Sequence, residues 1–423
     1  MDDGSVDFKD AAAEVWTTPL EALNPAQPHL FVNDAMWPVF DRLRKEAPVH
    51  WSPSNGVYPG FWSISRYQDI MAVDTNHEVF SSADGIALQT LEAKVEADKR
   101  PRGSSFISMD PPGHDVQRKA VSPAVAPHNL QAMAPLIRSE AGKILDSLPI
   151  GEEFDWVELV SKELTAMTLA TLFDYPQEKR RELTFWSDMF TNAPGHGPAK
   201  SWPHKREQAD ACFDAFDKLW ADRVNAPPRF DLVSMMAHAE ATRNLSVTDY
   251  HSNVVLLIIG GNDTTRNTIS GSIYALNKNP DQYDKLRANP ALISNMVSET
   301  IRWQTPLAHM SRTATRDFEM GGKTIKAGDT VVMWYVSGNR DEAQIANPNA
   351  YDIERERPRN HLSFGFGIHR CVGNRLAELQ LTIIWEEILA RFPEVRLVRE
   401  PLRTHSVFVK GYETRPVIIP TRN

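Results

Sequence analysis

Cysteine is nearly missing from this chain: among 423 residues only Cys212 and Cys371 occur. Two thiols cannot staple a small secreted scaffold, which excludes the disulfide-rich class and fits a reducing compartment. Long apolar runs are missing too. The stretch Val254 to Ile259 is only six residues, against the ~20 that cross a bilayer, so no membrane span is expected. The start, Met1-Asp2-Asp3-Gly4, leads into neither a basic nor an apolar segment, so no signal peptide is expected and a cytoplasmic location is. The sequons at Asn244 and Asn262 then carry no weight. Positive charge is not in excess: Lys and Arg number 46 against 55 Asp and Glu, a net charge of −9. That balance argues against nucleic acid as a partner. Basic residues are scattered, apart from groups such as Lys99-Arg100-Pro101-Arg102. Internal repeats and Gly/Ser or charged linkers are absent, so one domain over 1–423 is expected although the length suggests about two or three.

Hydrophobics at 42% and charged residues at 24% are ordinary for a globular protein. Residues 1–35 are acidic, proline-spotted and expected to be an irregular arm. A helix is predicted from Trp37 to Glu46, with Pro48 ending it. Val49-His50-Trp51 and Phe61-Trp62-Ser63-Ile64 read as short strands around Pro59-Gly60. Helical periodicity dominates from Tyr67 onward, interrupted by proline-rich loops such as Ala193 to Pro198. Strands return in the hairpin Phe318 to Ile325, at Thr330 to Trp334 and around Gly411. The fold class is mainly α, with small β-sheets built from both ends of the chain.

Two stretches stand out chemically. Cys371 lies in a loop with Gly365 and Gly367 before it and Gly373 after it. Val372, Leu376, Leu379 and Ile383 then recur at helical spacing until Pro393, which places Cys371 at a helix N-terminus that favours a thiolate. A lone cysteine is most often a small buried hydrophobe; a nucleophile paired with His369 is another option. The second stretch is a helix of about 33 residues, opened by the capping box Ser246-Val-Thr-Asp249 and closed by Pro280. In its middle stands Gly260-Gly261-Asn262-Asp263-Thr264. Each glycine costs about 1 kcal/mol relative to alanine, so a compensating role is expected. The Thr264 hydroxyl can bond the Gly260 carbonyl one turn back, and the glycines leave room for a ligand beside Asp263. A kinked core helix would look the same.

The phrase Phe364-x-x-Gly367-x-His369-x-Cys371-x-Gly373 resembles the haem-ligand loop of the cytochrome P-450 family, and Gly260-Gly-x-Asp263-Thr264 resembles that family's oxygen-activation groove. The resemblance covers nearly the whole chain past residue 35. It implies a helical prism around a buried haem b, with a long central helix and with Cys371 thiolate as the iron's axial ligand. It implies O2 as co-substrate, Thr264 holding its hydrogen-bond network and Asp263 relaying protons, with Gly260 and Gly261 making space. His114, Arg118, Arg312 and His369 match propionate partners. Glu299, Arg302 and Arg355 match a structural Glu-Arg-Arg cluster, although Glu-x-x-Arg alone is a weak signal.

The resemblance is nearest to the bacterial branch that hydroxylates terminal methyl groups of n-alkanes and fatty acids; hydroxylases of steroids, terpenoids and branched lipids are the alternative, and a haem-binding sensor a remote one. By position, Ile86, Leu88, Leu256, Ile259, Leu307, Ala308, Met310, Val407 and Phe408 are expected as pocket walls or as core. Gly365-Phe-Gly-Ile-His-Arg370 lacks the third glycine of a dinucleotide fingerprint, so electrons are expected from a separate ferredoxin and its reductase. Arg370 and Arg375 are candidates for docking it. A monomer is expected.

Overall fold

A computed structural model provides the structure, described over residues 14–99 and 103–423. The first residues of the N-terminal arm and Arg100, Pro101 and Arg102 of the basic group lie outside the described residues. The organising element is the helix Val247–Lys278, 32 residues and roughly 48 Å long. Its first turn is capped by one half of the expected box: Ser246 Oγ accepts from the Asp249 amide at 3.1 Å and donates to the Asp249 carboxylate at 2.8 Å, while Asp249 Oδ1 accepts from the Ser104 amide at 2.7 Å rather than from the Ser246 amide. Asn279 caps its end, and Pro280 begins the next helix, Pro280–Ala288.

The second half of the long helix is buried almost all round, from Asn262 to Leu276. Burial on every side demands partners for its polar residues. Ser270 pairs with Ser161 at 2.8 Å, and Ser272 accepts from Trp385 Nε1 at 2.9 Å. Helices Lys162–Phe173, Arg180–Thr191, Ile293–Gln304 and Asn374–Arg391 pack against it. The last of these also lies along Pro127–Asp146. One apolar cluster runs through this helical part, including Trp156, Phe173, Ile269 and Trp385.

The strand-rich part joins distant stretches. Its main sheet runs Val49–Ser52, Phe61–Ile64, Thr330–Met333, Met310–Ala314 and Phe80–Ser81 in that spatial order. Phe61–Ile64 and Thr330–Met333 are parallel, with Ser63 opposite Val332, and the other pairs are antiparallel. The hairpin Phe318–Met320 with Lys323–Ile325 forms as expected. Leu402–Arg403 pairs with Tyr412–Thr414 across the late turn.

The arm differs from its expectation. Residues 14–17 are helical, and Leu20–Ala22 and Pro28–Val32 are short helices. Leu23, Ala26 and Phe31 are buried beside Phe40 and Trp334, so apolar burial orders what proline and charge suggested would be irregular. Among the described residues no helix is long and apolar enough to cross a membrane.

Candidate active site

The loop before helix Asn374–Arg391 makes two unusual turns. Gly365 and Gly367 have φ of +65° and +64°, a region that L side chains rarely adopt. A Cβ on Gly367 would also sit 2.5 Å from the Asp74 carbonyl oxygen. Between these turns and the helix, the Cys371 amide donates to the Phe364 carbonyl at 2.8 Å, which folds the loop back on itself. Cys371 is exposed, yet protein surrounds the sulfur closely enough that burial pushes its thiol pKa up. The Gly373 amide and the charges of Arg118 and Arg370 pull the other way, toward thiolate. The second cysteine, Cys212, is fully buried, and burial raises its thiol with no charge opposing it.

Behind the loop stands a buried cluster. Arg302 and Glu299, both fully buried, share two contacts of 2.7 Å. Arg355 Nε reaches the same carboxylate at 3.0 Å. Arg302 also donates to the carbonyls of Asn339, Pro348 and Ala350. Asn339 in turn accepts from the Leu362 amide at 2.7 Å and donates to Ser363 Oγ at 2.9 Å. The Glu-x-x-Arg pair thus differs from a surface pair: it links the helix Ile293–Gln304 to the start of the cysteine loop through Asn339.

Of the four expected propionate partners, His114, Arg312 and His369 are buried and Arg118 is half-buried. His114 and His369 are buried with rings edge-on at 4.5 Å. His114 Nε2 and both ring nitrogens of His369 lack a hydrogen-bond partner among the described residues. Burial, and then the charge of Arg312, holds the His369 pKa down at about 3. Arg118 donates to the Arg370 carbonyl beside them. Arg312 has partners of its own: its Nη2 donates to Asp74 at 2.8 Å and its Nη1 to the Ser311 carbonyl at 2.8 Å. A buried guanidinium on a strand needs a counter-charge, and Asp74, nearly 240 residues away in sequence, supplies it. Asp74 also accepts from Tyr335 Oη at 2.7 Å and from the Phe366 amide at 2.8 Å. Sequence reading missed Asp74, and nothing in its local sequence marks it.

On the long helix, Thr264 Oγ1 donates to the Gly260 carbonyl at 3.1 Å, and the helix runs unbroken. A Cβ built on Gly260 meets nothing within 4 Å, whereas one on Gly261 would lie 2.9 Å from Leu169 Cδ1. Gly260 alone of the pair opens a space; Gly261 is small because Leu169 packs there. Asp263 is fully buried and turned toward Arg180–Thr191: its Oδ1 lies 2.8 Å from Arg266, which also lies 2.8 Å from Asp188. Burial pushes the Asp263 carboxyl up against the pull of Arg266, and Asp188 adds to the rise. The hydroxyls of Thr191 and Ser187 stand close enough to pull it partly back down, although its Oδ2 makes no well-aligned hydrogen bond among the described residues. Arg266, three residues on, was a signal available in the sequence.

The expected walls divide in two. Leu256, Ile259, Leu307, Met310, Phe408 and Ile86 are half-buried. Leu88, Ala308 and Val407 are 7%, 0% and 1% exposed and belong to the cluster around Phe61 and Trp334. The latter three are core.

An accessible thiol fed by an amide and two arginines, orphaned imidazole nitrogens beside it and an open backbone patch at Gly260 fit a planar, dianionic iron macrocycle. The comparisons agree. The cytochrome P-450 family profile matches residues 207–409. Linalool 8-monooxygenase of Pseudomonas putida is 36% identical over 399 residues, covering 93% of this chain and 97% of its own length. The methyl-branched lipid omega-hydroxylase of Mycobacterium tuberculosis is 30% identical, covering 89% of this chain and 90% of its own. The solved structure of cytochrome P-450-153 from Novosphingobium aromaticivorans superposes with a TM-score of 0.85 at 41% identity, covering 93% and 98% of the two chains. This chain belongs to the cytochrome P-450 family. It is a haem-thiolate monooxygenase, an oxidoreductase that uses haem and O2.

Proposed function

We propose that the substrate is a medium- or long-chain n-alkane or fatty acid, hydroxylated at its terminal carbon, with electrons from a separate ferredoxin. What supports this reading is the apolar character of the expected walls: Leu256 and Ile259 precede Gly260 on the long helix, and Leu307, Met310 and Phe408 are half-buried apolar side chains. A terminal methyl C–H is harder to break than an internal one, so a narrow chamber must present the chain end-on.

In this reading Cys371 would hold the iron as a thiolate, and His114, Arg118, Arg312 and His369 would hold the propionates. When bound, the haem supplies reductive activation of dioxygen and insertion of one oxygen atom into a C–H bond. Thr264 keeps a hydroxyl at the level of the open patch. Asp263 delivers protons toward it, and because Arg266 is shared with Asp188, the guanidinium stays paired when Asp263 turns away.

The resemblance to linalool 8-monooxygenase favours a second reading, a branched terpenoid substrate. Product analysis with n-alkanes, fatty acids, linalool and sterols, driven by a ferredoxin and its reductase, separates the two. Terminal alcohols from linear chains are expected. Turnover confined to linalool or sterols overturns the linear-chain reading, and a reduced, carbon-monoxide-bound spectrum without the thiolate band overturns the ligand role of Cys371.

A further inference from the structure

Three stretches that sequence reading nominated as pocket walls lie in different parts of the chain: residues 86–88, 307–310 and 407–408. Two of them lack regular structure, the first lying between Phe80–Ser81 and the helix Leu91–Ala97, the last in the turn between Leu402–Arg403 and Tyr412–Thr414. Backbone bonds lace them, from the Ser311 amide to the Ile86 carbonyl at 2.7 Å and from Ala308 to Phe408 at 2.8 Å. One side chain of the middle stretch touches the other two. His309 is fully buried; its Nδ1 lies 3.0 Å from the Val407 carbonyl oxygen and its Nε2 lies 3.0 Å from the Leu88 amide nitrogen.

The partners dictate its state. A carbonyl oxygen can only accept, so Nδ1 carries the proton; an amide can only donate, so Nε2 is bare. The imidazole is therefore one neutral tautomer with both nitrogens satisfied. Its ring is edge-on to Trp334 at 4.9 Å and to Phe408 at 5.3 Å, which fixes its rotation. Burial holds its pKa down to about 4, consistent with a base that stays neutral. The bridge spans from the loop bearing Ile86 to the turn bearing Phe408, and both of these side chains are half-buried.

We infer that His309 is a positioning residue that sets the separation between the Ile86 and Phe408 walls of the substrate chamber, and with it which carbon is presented for oxygenation. The inference rests on the reading above that these walls bound the chamber. It concerns the loop-to-turn bridge rather than any group on the haem.

The test compares His309→Phe with His309→Gln in the haem-loaded protein. Phenylalanine keeps the ring contacts and loses both hydrogen bonds; glutamine can accept from Leu88 through Oε1 and donate to Val407 through Nε2. Hydrogen exchange of peptides covering 86–88 and 407–408 reads the bridge, and calorimetric binding of dodecanoic acid and 4-phenylimidazole, with the ratio of terminal to internal alcohols from the acid, reads the chamber. Phenylalanine should raise exchange at both segments about tenfold, weaken binding several-fold and shift the alcohol ratio several-fold, with glutamine restoring all three. Unchanged exchange in the phenylalanine variant overturns the bridge. Raised exchange with unchanged binding and product ratio overturns the assignment of these segments to the chamber. Equal loss in both variants, tracking a fall in thermal stability, reduces His309 to a packing residue.

Discussion

Thr264 and Gly260 sit one turn apart and answer for different things. The threonine hydroxyl is satisfied by the Gly260 carbonyl at 3.1 Å, so its removal costs little stability. Thr264→Ala should instead uncouple the enzyme, consuming more reductant per product; an unchanged ratio of product to reductant would contradict its proton role. Gly260 faces open space, so Gly260→Ala should gain up to about 1 kcal/mol of helix stability while lowering turnover of long chains. Denaturant melts and product rates check the two directions separately. Buried histidines set a pH limit. His309 and His361 titrate at about 4 and about 3, both mainly through burial, against 6.5 when free. Their folded pKa values are depressed, so the unfolded chain binds more protons between these values, and stability is lost as pH falls from about 6.5 toward 4. For His309 the shift corresponds to on the order of 3 kcal/mol. Chemical melts between pH 7.5 and 5 should show the decline, with a shallower slope in His309→Gln.

At the scale of elements, the cysteine loop is held from two sides. Asp74 grips Phe366 and Arg312, and Asn339 grips Leu362 and Ser363 while carrying the Arg302 cluster. Removing one member of a fully buried ion pair typically costs about 3–5 kcal/mol, because the other charge stays behind. Arg302→Leu should therefore lower the unfolding free energy by that order and also lower haem content per chain. Normal haem content in a destabilised variant would show that the cluster does not govern the loop. The pattern Glu-x-x-Arg was legible, but its weight was not. Whether such a pair is a surface ornament or a buried brace depends on what packs over it, here segments 339–355.

At the scale of the whole molecule, a net charge of −9 coexists with exposed Arg370 and Arg375 beside the ligand loop. An acidic electron carrier approaching this face would be attracted locally although the bulk repels it. Neutralising both arginines should slow ferredoxin-driven turnover more at low than at high ionic strength, because screening shortens to about 8 Å at 0.15 M salt. Loss of the same size at every salt concentration argues against docking there.

Periodicity and punctuation, which are local, made much of this protein legible without coordinates: the long capped helix, the hairpin at 318–325, the glycine-turned loop at Cys371 and the Thr264–Gly260 bond all follow from neighbours within a few residues. What depended on distant partners was hidden. The carboxylate partner of Arg312, Asp74, was invisible until the fold brought it beside the guanidinium; Gly261 looked like open space until Leu169 filled it. Leu88, Ala308 and Val407 looked like walls until Trp334 gathered them into the core. His309 carried no signal at all, because its meaning lies in two backbone atoms some 220 and 98 positions away. Sequence reports the chemistry a side chain is able to do, and only the fold decides which partner it meets.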